Sequence, residues 1–180
     1  PAVLKRQGSA FLFGLIIYGR SEEQIMMERY EEAKAWVYEE YGKIYNPVIR
    51  QEAYCHTSSV DNMATLLAIG RGVDIEQSKI AALFHDFAIF AANCPHRDHA
   101  RLSSLYAHKY LIGTKEFTIE EIDEICHAIA CHSSKDVEDE PLCEVLKDAD
   151  VMARFVEDPH QSFPQVRQKR LLKGFEDIKG

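Results

Sequence analysis

The chain has 180 residues, of which 46% are hydrophobic and 28% are charged, a composition typical of one folded globular domain. Its formal net charge of −8 argues against a nucleic-acid partner and against a membrane surface, because the phosphates of either would be repelled. The charge does not exclude a small anion held in a locally positive pocket.

The cysteines form no CxxC pair and no regular framework; they are Cys55, Cys94, Cys126, Cys131 and Cys143. An odd number with irregular spacing is typical of reduced thiols, so we expect a cytoplasmic protein without a disulfide framework. Each cysteine is expected to be a small buried residue and not a catalytic one.

The longest apolar run, residues 10–19, is about half as long as a membrane-spanning helix and is expected to be a packed N-terminal element. After it, the sequence shows helical periodicity almost throughout. Helix starts are indicated by Ser21 with Gln24, by Asp74, and by Thr118 with Glu121. The expected helices cover residues 22–43, 49–69, 75–90, 97–113, 118–133, 141–158 and 163–178.

This pattern predicts a single compact all-α domain of about six to eight helices. Residues 1–48 are expected to form a helical extension packed on the core. Residues 49–156 would form the main domain, and residues 157–180 a C-terminal helix.

The stretch LFHDF, residues 83–87, places two adjacent polar residues in an apolar run. On the predicted helix, His85 and Asp86 would lie in the middle and could reach one pocket over their shared edge. A lone buried histidine is more often a satisfied core residue than a ligand. Two buried polar neighbours each need a partner, however, and one metal cation would serve both.

The other histidines can be sorted by their positions around each helix. His99 and His108 would lie about 180° apart, so only one of them can face a given pocket. His127 and His132 would lie about 140° apart; His132 shares its face with apolar residues and is expected to point inward, whereas His127 is expected at the surface. His56 also shares its side with apolar residues and should point inward.

Two further histidines and two aspartates complete the polar candidates. His96 and His160 lie beside prolines in predicted loops and are expected to be exposed. Asp148 and Asp150 would lie about 200° apart on their helix, so one of them faces the pocket and periodicity does not choose between them.

The order of these residues resembles the H…HD…D signature of the HD-domain superfamily of metal-dependent phosphohydrolases. The flanking sequence of residues 55–90 is similar to the family pattern H-T-x-x-V…A…L-A…G-x-D…K-x-x-A-x-L-x-H-D. AIACHS (128–133) resembles A-I-x-x-H-[ST], and LKDADVMAR (146–154) resembles D-A-D-x-[LM]. The similarity covers about residues 50 to 155, so it implies that residues 49–156 are the HD metal-binding domain.

The resemblance implies a set of metal ligands. It favours Asp150, the second aspartate of D-A-D, over Asp148. It also favours His99 over His108 and His132 over His127. Members with all six ligands hold two metals with the HD aspartate bridging them. The implied ligands are His56, His85, Asp86, His99, His132 and Asp150. Imidazole with carboxylate suits divalent ions, with Fe or Mn favoured and Co, Ni, Zn or Mg possible.

The activity implied is hydrolysis of a nucleotide or another small phosphate ester by a metal-activated water. Asp86 would be both a ligand and the partner for the proton of the nucleophile. A cation should stabilise the charge of the transition state. Arg97, Arg101 and Arg154 are candidates, and Arg154 is favoured because it lies one helical turn from Asp150.

Two alternatives stay open at the level of sequence. HD-type di-iron oxygenases have the same ligand order, and a non-catalytic metal-stabilised binding domain could retain it as well. The chain also departs from one branch of the family, in which a lysine follows HD by three or four residues. Ile89 and Phe90 occupy those positions, which disfavours cleavage of symmetrical dinucleoside polyphosphates.

Overall fold

The structure is a computed structural model that describes residues 22–179, with side chains from residue 28. The described residues form eight α-helices and one short 3₁₀ helix, and they contain no strand, so the prediction of an all-α domain is confirmed. The helices are α1 (Glu22–Gly42), α2 (Pro47–Arg71), α3 (Ile75–Phe84), α4 (Phe87–Ala92), the 3₁₀ helix (His96–Asp98), α5 (His99–Thr114), α6 (Ile119–Cys131), α7 (Pro141–Glu157) and α8 (Gln165–Lys179). The expectations for residues 10–19 and for a cap at Ser21 lie outside the described residues.

Local capping sets several of the helix ends. The Asp74 side chain accepts a hydrogen bond from the backbone N–H of Gln77 at 2.8 Å and opens α3. Thr118 and Glu121 form the reciprocal capping box that the sequence predicts for α6. At the end of α2, Gly72 adopts the left-handed conformation with φ 65°, which a residue without Cβ takes at little cost.

Helix α3 lies at the centre of the core and contacts α1, α2, α6 and α7. Its side chains are buried on every face, including the polar Glu76 and Ser78. A helix that is apolar around most of its circumference is typical of a fully buried element. The end of α3 therefore delivers His85 directly into the interior of the domain.

The prediction of one helix over residues 75–90 is wrong at His85 and Asp86. Helix α3 ends at Phe84 and α4 begins at Phe87, because Asp86 leaves the helical conformation with φ −110° and ψ 14°. The backbone N–H of Ala88 donates instead to the hydroxyl oxygen of Ser103 on α5, at 3.0 Å. Asp86 is therefore a turn residue. The direction of its side chain relative to His85 is not fixed at the 100° that successive residues of a helix would have.

Other helix boundaries differ slightly from the predicted ones. Helix α5 continues through Gly113 to Thr114, and the next residue, Lys115, has φ 61°. His132 lies just beyond the last residue of α6 and not within the helix. No helix within residues 22–179 has the length and apolar character needed to cross a membrane.

The first and last described helices pack on the same core. Buried side chains of α1, among them Tyr30 and Val37, belong to the central apolar cluster. Helix α8 packs on α2 and α7, and Cβ atoms added at Gly70 and Gly174 would overlap atoms of Asp177 and Met152. The domain limits at residues 48 and 156 stay a prediction.

Candidate metal centre

The carboxylate of Asp86 lies between two pairs of histidine rings. Its Oδ2 atom is 3.6 Å from Nε2 of His56 and 3.4 Å from Nε2 of His85. Its Oδ1 atom is 3.3 Å from Nε2 of His99 and 3.5 Å from Nε2 of His132. Asp86 is only 6% exposed, and all four histidines are buried. One carboxylate thus contributes an oxygen atom to each of two ligand groups.

The second nitrogen of each histidine ring is fixed by a hydrogen-bond acceptor. These contacts run from His85 to the carbonyl of Ala82 (2.8 Å), from His132 to the carbonyl of Ile129 (2.7 Å), from His99 to the carbonyl of His96, and from His56 to the carboxylate of Glu157 (2.9 Å). A carbonyl or carboxylate oxygen only accepts, so Nδ1 carries the proton in each ring. In the neutral ring, Nε2 then presents a lone pair to the centre of the cluster.

This geometry fits metal ions. Nε2 of His56 and Nε2 of His85 are 3.2 Å apart, and Nε2 of His99 and Nε2 of His132 are 3.1 Å apart. Because Nδ1 carries a proton in each ring, two Nε2 atoms at this distance share either a proton or a metal cation. The Oδ1 atom of Asp86 is also buried without a hydrogen-bond partner. Such an orphaned oxygen is costly unless a cation satisfies it.

The pKa values around the cluster reflect burial and the balance of charges. Burial acts to raise the pKa of Asp86, but His85 and His132 outweigh it and hold the pKa well below its usual value, so the group stays a carboxylate. Burial lowers the pKa of His132. Burial also acts to lower the pKa of His56, but Asp150 and Glu157 raise it to about 9.

The structure brings Asp150, and not Asp148, to this cluster. The Oδ1 atom of Asp150 is 3.3 Å from Nε2 of His56, and its Oδ2 atom is 2.7 Å from Nζ of Lys135. The Asp148 side chain points elsewhere and pairs with Arg71 at 2.6 Å. Asp150 therefore lies beside the candidate ligands His56 and His85.

The remaining histidines lie outside the ligand groups. His108, His127 and His160 are exposed. His96 is also exposed, but its carbonyl orients the ring of His99, and its own ring lies 4.7 Å from that ring. The exposures expected from the sequence for His96, His127 and His160 are thus confirmed.

Of the three candidate arginines, the structure places one at the cluster. Nη2 of Arg154 is 3.7 Å from Oδ2 of Asp86. The Arg97 side chain is 86% exposed and pairs with its neighbour Asp98, while Arg101 is exposed on α5.

Three residues of the site were not identified from the sequence. Glu157 lies seven residues after Asp150, at a spacing that places both on one face of α7, so helical periodicity could have found it. Lys135 follows His132 in the connection to α7, where no periodicity applies. Arg167 comes from α8 and is brought to the site only by tertiary packing.

The ligand groups line a cavity of about 580 Å³. Three cationic side chains line it together with the carboxylates: Lys135, Arg154 and Arg167. The cavity can therefore hold an anionic group next to the histidine and aspartate ligands.

Fold and site together define an all-helical protein with a histidine–aspartate cluster that fits divalent metal ions. The family model of the HD domain matches residues 53–154, so the chain belongs to the HD domain family, as its motifs indicated. A solved structure described as a predicted HD superfamily hydrolase, from an uncultured Thermotogales bacterium, has the same fold. It is 24% identical, the match covers 83% of this chain and 86% of that one, and the TM-score is 0.58. No curated protein matches the chain.

Proposed function

We propose that the chain is a metal-dependent phosphohydrolase that acts on a nucleotide or another small phosphate ester through a metal-activated water. The observation that carries this proposal is the position of Asp86, which offers one oxygen atom to each of two histidine pairs. The cationic side chains of the same cavity support a phosphorylated substrate.

The proposed ligands divide into two groups that share Asp86. One group contains His56, His85 and Asp150, and the other contains His99 and His132. Nitrogen and carboxylate oxygen donors favour Fe or Mn, while Co, Ni, Zn or Mg are possible. Two such ions would lower the pKa of a bound water and polarise the phosphoryl oxygens.

The protein's own side chains would position the substrate and stabilise charge. Lys135 and Arg167 would hold the phosphoryl group in the cavity, and Arg154 would donate to the oxygens that gain negative charge. Asp86 remains ionised at neutral pH, so it can accept a hydrogen bond from the attacking water and orient it.

Phosphate release from a panel of nucleotides and small phosphomonoesters, measured with Mn²⁺-loaded protein, tests this proposal. We expect turnover by the wild type, its loss in His85→Ala, and a decrease of about 100-fold or more in Arg154→Ala. Arg101→Ala is the matched control, because Arg101 is exposed and does not line the cavity. Release of phosphate by His85→Ala at the wild-type rate would contradict the proposal.

A di-iron oxygenase is the second candidate, because two histidine pairs bridged by one carboxylate also suit two iron ions. Oxygen uptake by the iron-loaded protein, measured beside phosphate release, separates the two activities. Uptake that depends on an added organic substrate, without phosphate release, would favour the oxygenase. Metal binding without either activity would favour a non-catalytic, metal-stabilised binding domain.

A further inference from the structure

A second cluster of metal-ligating side chains lies where α6 ends and α7 begins. His127 and Cys131 are one turn apart on α6, Glu140 precedes α7, and Cys143 lies in its first turn. Ligand atoms of His127, Cys131 and Cys143 all lie within 4.8 Å of one another. This cluster, hereafter the α6–α7 cluster, shares no residue with the proposed phosphohydrolase site.

We propose that the α6–α7 cluster is a structural zinc site with His127, Cys131, Glu140 and Cys143 as ligands. Two thiols, an imidazole and a carboxylate make a four-donor set that suits tetrahedral Zn²⁺. Thiolate ligands select Zn²⁺ over the harder Mg²⁺ and Mn²⁺, so this site would take a different metal from the histidine–aspartate centre.

The contacts of the two thiols with His127 and Glu140 agree with this assignment. The donor atoms of one tetrahedral zinc ion lie about 3.3 to 3.8 Å apart, given the usual Zn–N and Zn–S bond lengths. Sγ of Cys131 is 3.7 Å from the ring nitrogens of His127, and Sγ of Cys143 is 3.8 Å from Oε2 of Glu140. Nε2 of His127 is 2.9 Å from the same Oε2 atom, a hydrogen bond that the ion would replace.

Glu140 is the carboxylate that contacts both His127 and Cys143. The neighbouring Asp139 is already paired with Lys147, which is fully buried. Among the residues that the structure describes, Glu140 has only the half-exposed His127 as an ion partner. The exposed side of the cluster gives the ion a route from solvent.

The position of the cluster indicates what the zinc would do. It joins the two ends of the connection between α6 and α7, and this connection carries His132 and Lys135 into the catalytic cavity. A metal bound to both helices restricts the connection and so holds these two residues in place. The role is structural, since none of the four ligands lines the catalytic cavity.

Titration of the full, thiol-reduced chain with Co²⁺ tests the proposal. Thiolate ligands give cobalt a sulfur-to-metal charge-transfer absorption in the near ultraviolet, whereas the histidine–aspartate centre has only nitrogen and oxygen ligands. We expect this band in the wild type and in His85→Ala, and we expect Zn²⁺ to displace it. Cys131→Ser and Cys143→Ser should lose the band or bind Co²⁺ at least about 10-fold more weakly.

Cys126→Ser is the matched control, because Cys126 is buried on the same helix but lies outside the cluster. His127→Ala, at a position 49% exposed, gives a variant that should fold normally and still weaken the band. The proposal is overturned if the reduced wild type shows no band, if both serine variants keep it, or if Cys131 and Cys143 form a disulfide in the native protein. Phosphate release is measured in a separate assay. An absence of phosphate release would therefore contradict the proposed function without contradicting the zinc site.

Discussion

At the scale of single residues, the centre depends on groups that orient the ligands as much as on the ligands. Each of the four histidines has its Nδ1 atom fixed by a carbonyl or carboxylate oxygen. Three of these acceptors are backbone carbonyls three residues earlier in the chain, which no substitution of a side chain can remove. Glu157 is the exception, so it is the acceptor that mutation can test.

Glu157→Gln should weaken binding of Mn²⁺ by about 10- to 100-fold. Glutamine retains an acceptor of similar shape but loses the negative charge that stabilises the protonated Nδ1 atom of His56, 2.9 Å away. Isothermal titration calorimetry on the metal-free protein measures the change. Glu52→Gln is the control, because Glu52 lines the same cavity without a contact to a ligand histidine. Equal affinities of wild type and Glu157→Gln would contradict the assigned role.

Sequence reasoning identified the inward direction of His56 and His132 because apolar residues share their faces. It could not find Lys135 or the orienting carbonyls, since these depend on backbone geometry outside regular helices. The choice of Asp150 over Asp148 came from the family resemblance. The physical reason appears only in the folded chain, where Arg71 and Arg170 engage Asp148.

At the scale of helices, close packing and a buried ion network hold α8 against α2 and α7. A Cβ atom added at Gly70 would overlap the backbone oxygen of Asp177. A Cβ atom added at Gly174 would overlap the sulfur atom of the Met152 side chain in the same way. Arg170 of α8 contacts both Glu144 and Asp148 of α7 at 2.8 Å. Because α8 also carries Arg167, its position affects the cavity at the candidate metal centre.

Gly70→Ala should lower the free energy of unfolding by about 1–3 kcal/mol, because α8 must shift to make room for the methyl group. Gly113→Ala is the matched control: no atom lies within 4 Å of the added Cβ atom, so alanine should stabilise α5 by about 0.5–1 kcal/mol. Urea denaturation measures both. Similar effects of the two substitutions would show that α8 does not pack closely at Gly70.

Glu144→Gln should destabilise the protein by about 1.5–3 kcal/mol at neutral pH, where Arg170 and Lys147 lose an ionised partner. Burial acts to raise the pKa of Glu144, but Arg170 and Lys147 lower it to about 2. The folded-state pKa is therefore below the unfolded value near 4.5, so this stabilisation is present above pH 4.5 and is lost as the pH falls toward 2.

The difference in unfolding free energy between wild type and Glu144→Gln should accordingly shrink between pH 4.5 and 2. Glu138→Gln is the control, because Glu138 is exposed in the connection before α7. A difference that is constant from pH 7 to pH 3 would mean that the charge of Glu144 contributes nothing.

The helices themselves were largely predictable, because caps such as Asp74 and Thr118 and the glycine after α2 are local signals. The break at His85 and Asp86 was not predictable, because the bond that stabilises it comes from Ser103, fifteen residues away on another helix. A continuous apolar pattern hides such a break, since residues on both sides of it are buried.

At the scale of the whole molecule, the proposed ligands come from separate segments of the chain. They lie on α2, the turn after α3, α5, the end of α6 and α7. An unfolded chain cannot bring these atoms together, so metal binding should stabilise the fold as a whole.

Saturating Mn²⁺ should therefore raise the unfolding free energy of the wild type, by about 2.7 kcal/mol when free metal is one hundred times the dissociation constant. His85→Ala should lose most of this stabilisation. Thermal unfolding with and without metal measures the shift. A midpoint that does not respond to Mn²⁺ in the wild type would contradict a site assembled from all of these segments.

The central claim is that Asp86 joins two metal positions. The most direct test is to count the Mn²⁺ ions bound per chain and to measure their magnetic coupling by electron paramagnetic resonance. Mn²⁺ avoids thiolates, so the α6–α7 cluster does not add to the count. We expect two magnetically coupled ions in the wild type and one uncoupled ion in each of His85→Ala and His132→Ala. A single ion that His132→Ala leaves unchanged, or no bound ion, would contradict the claim.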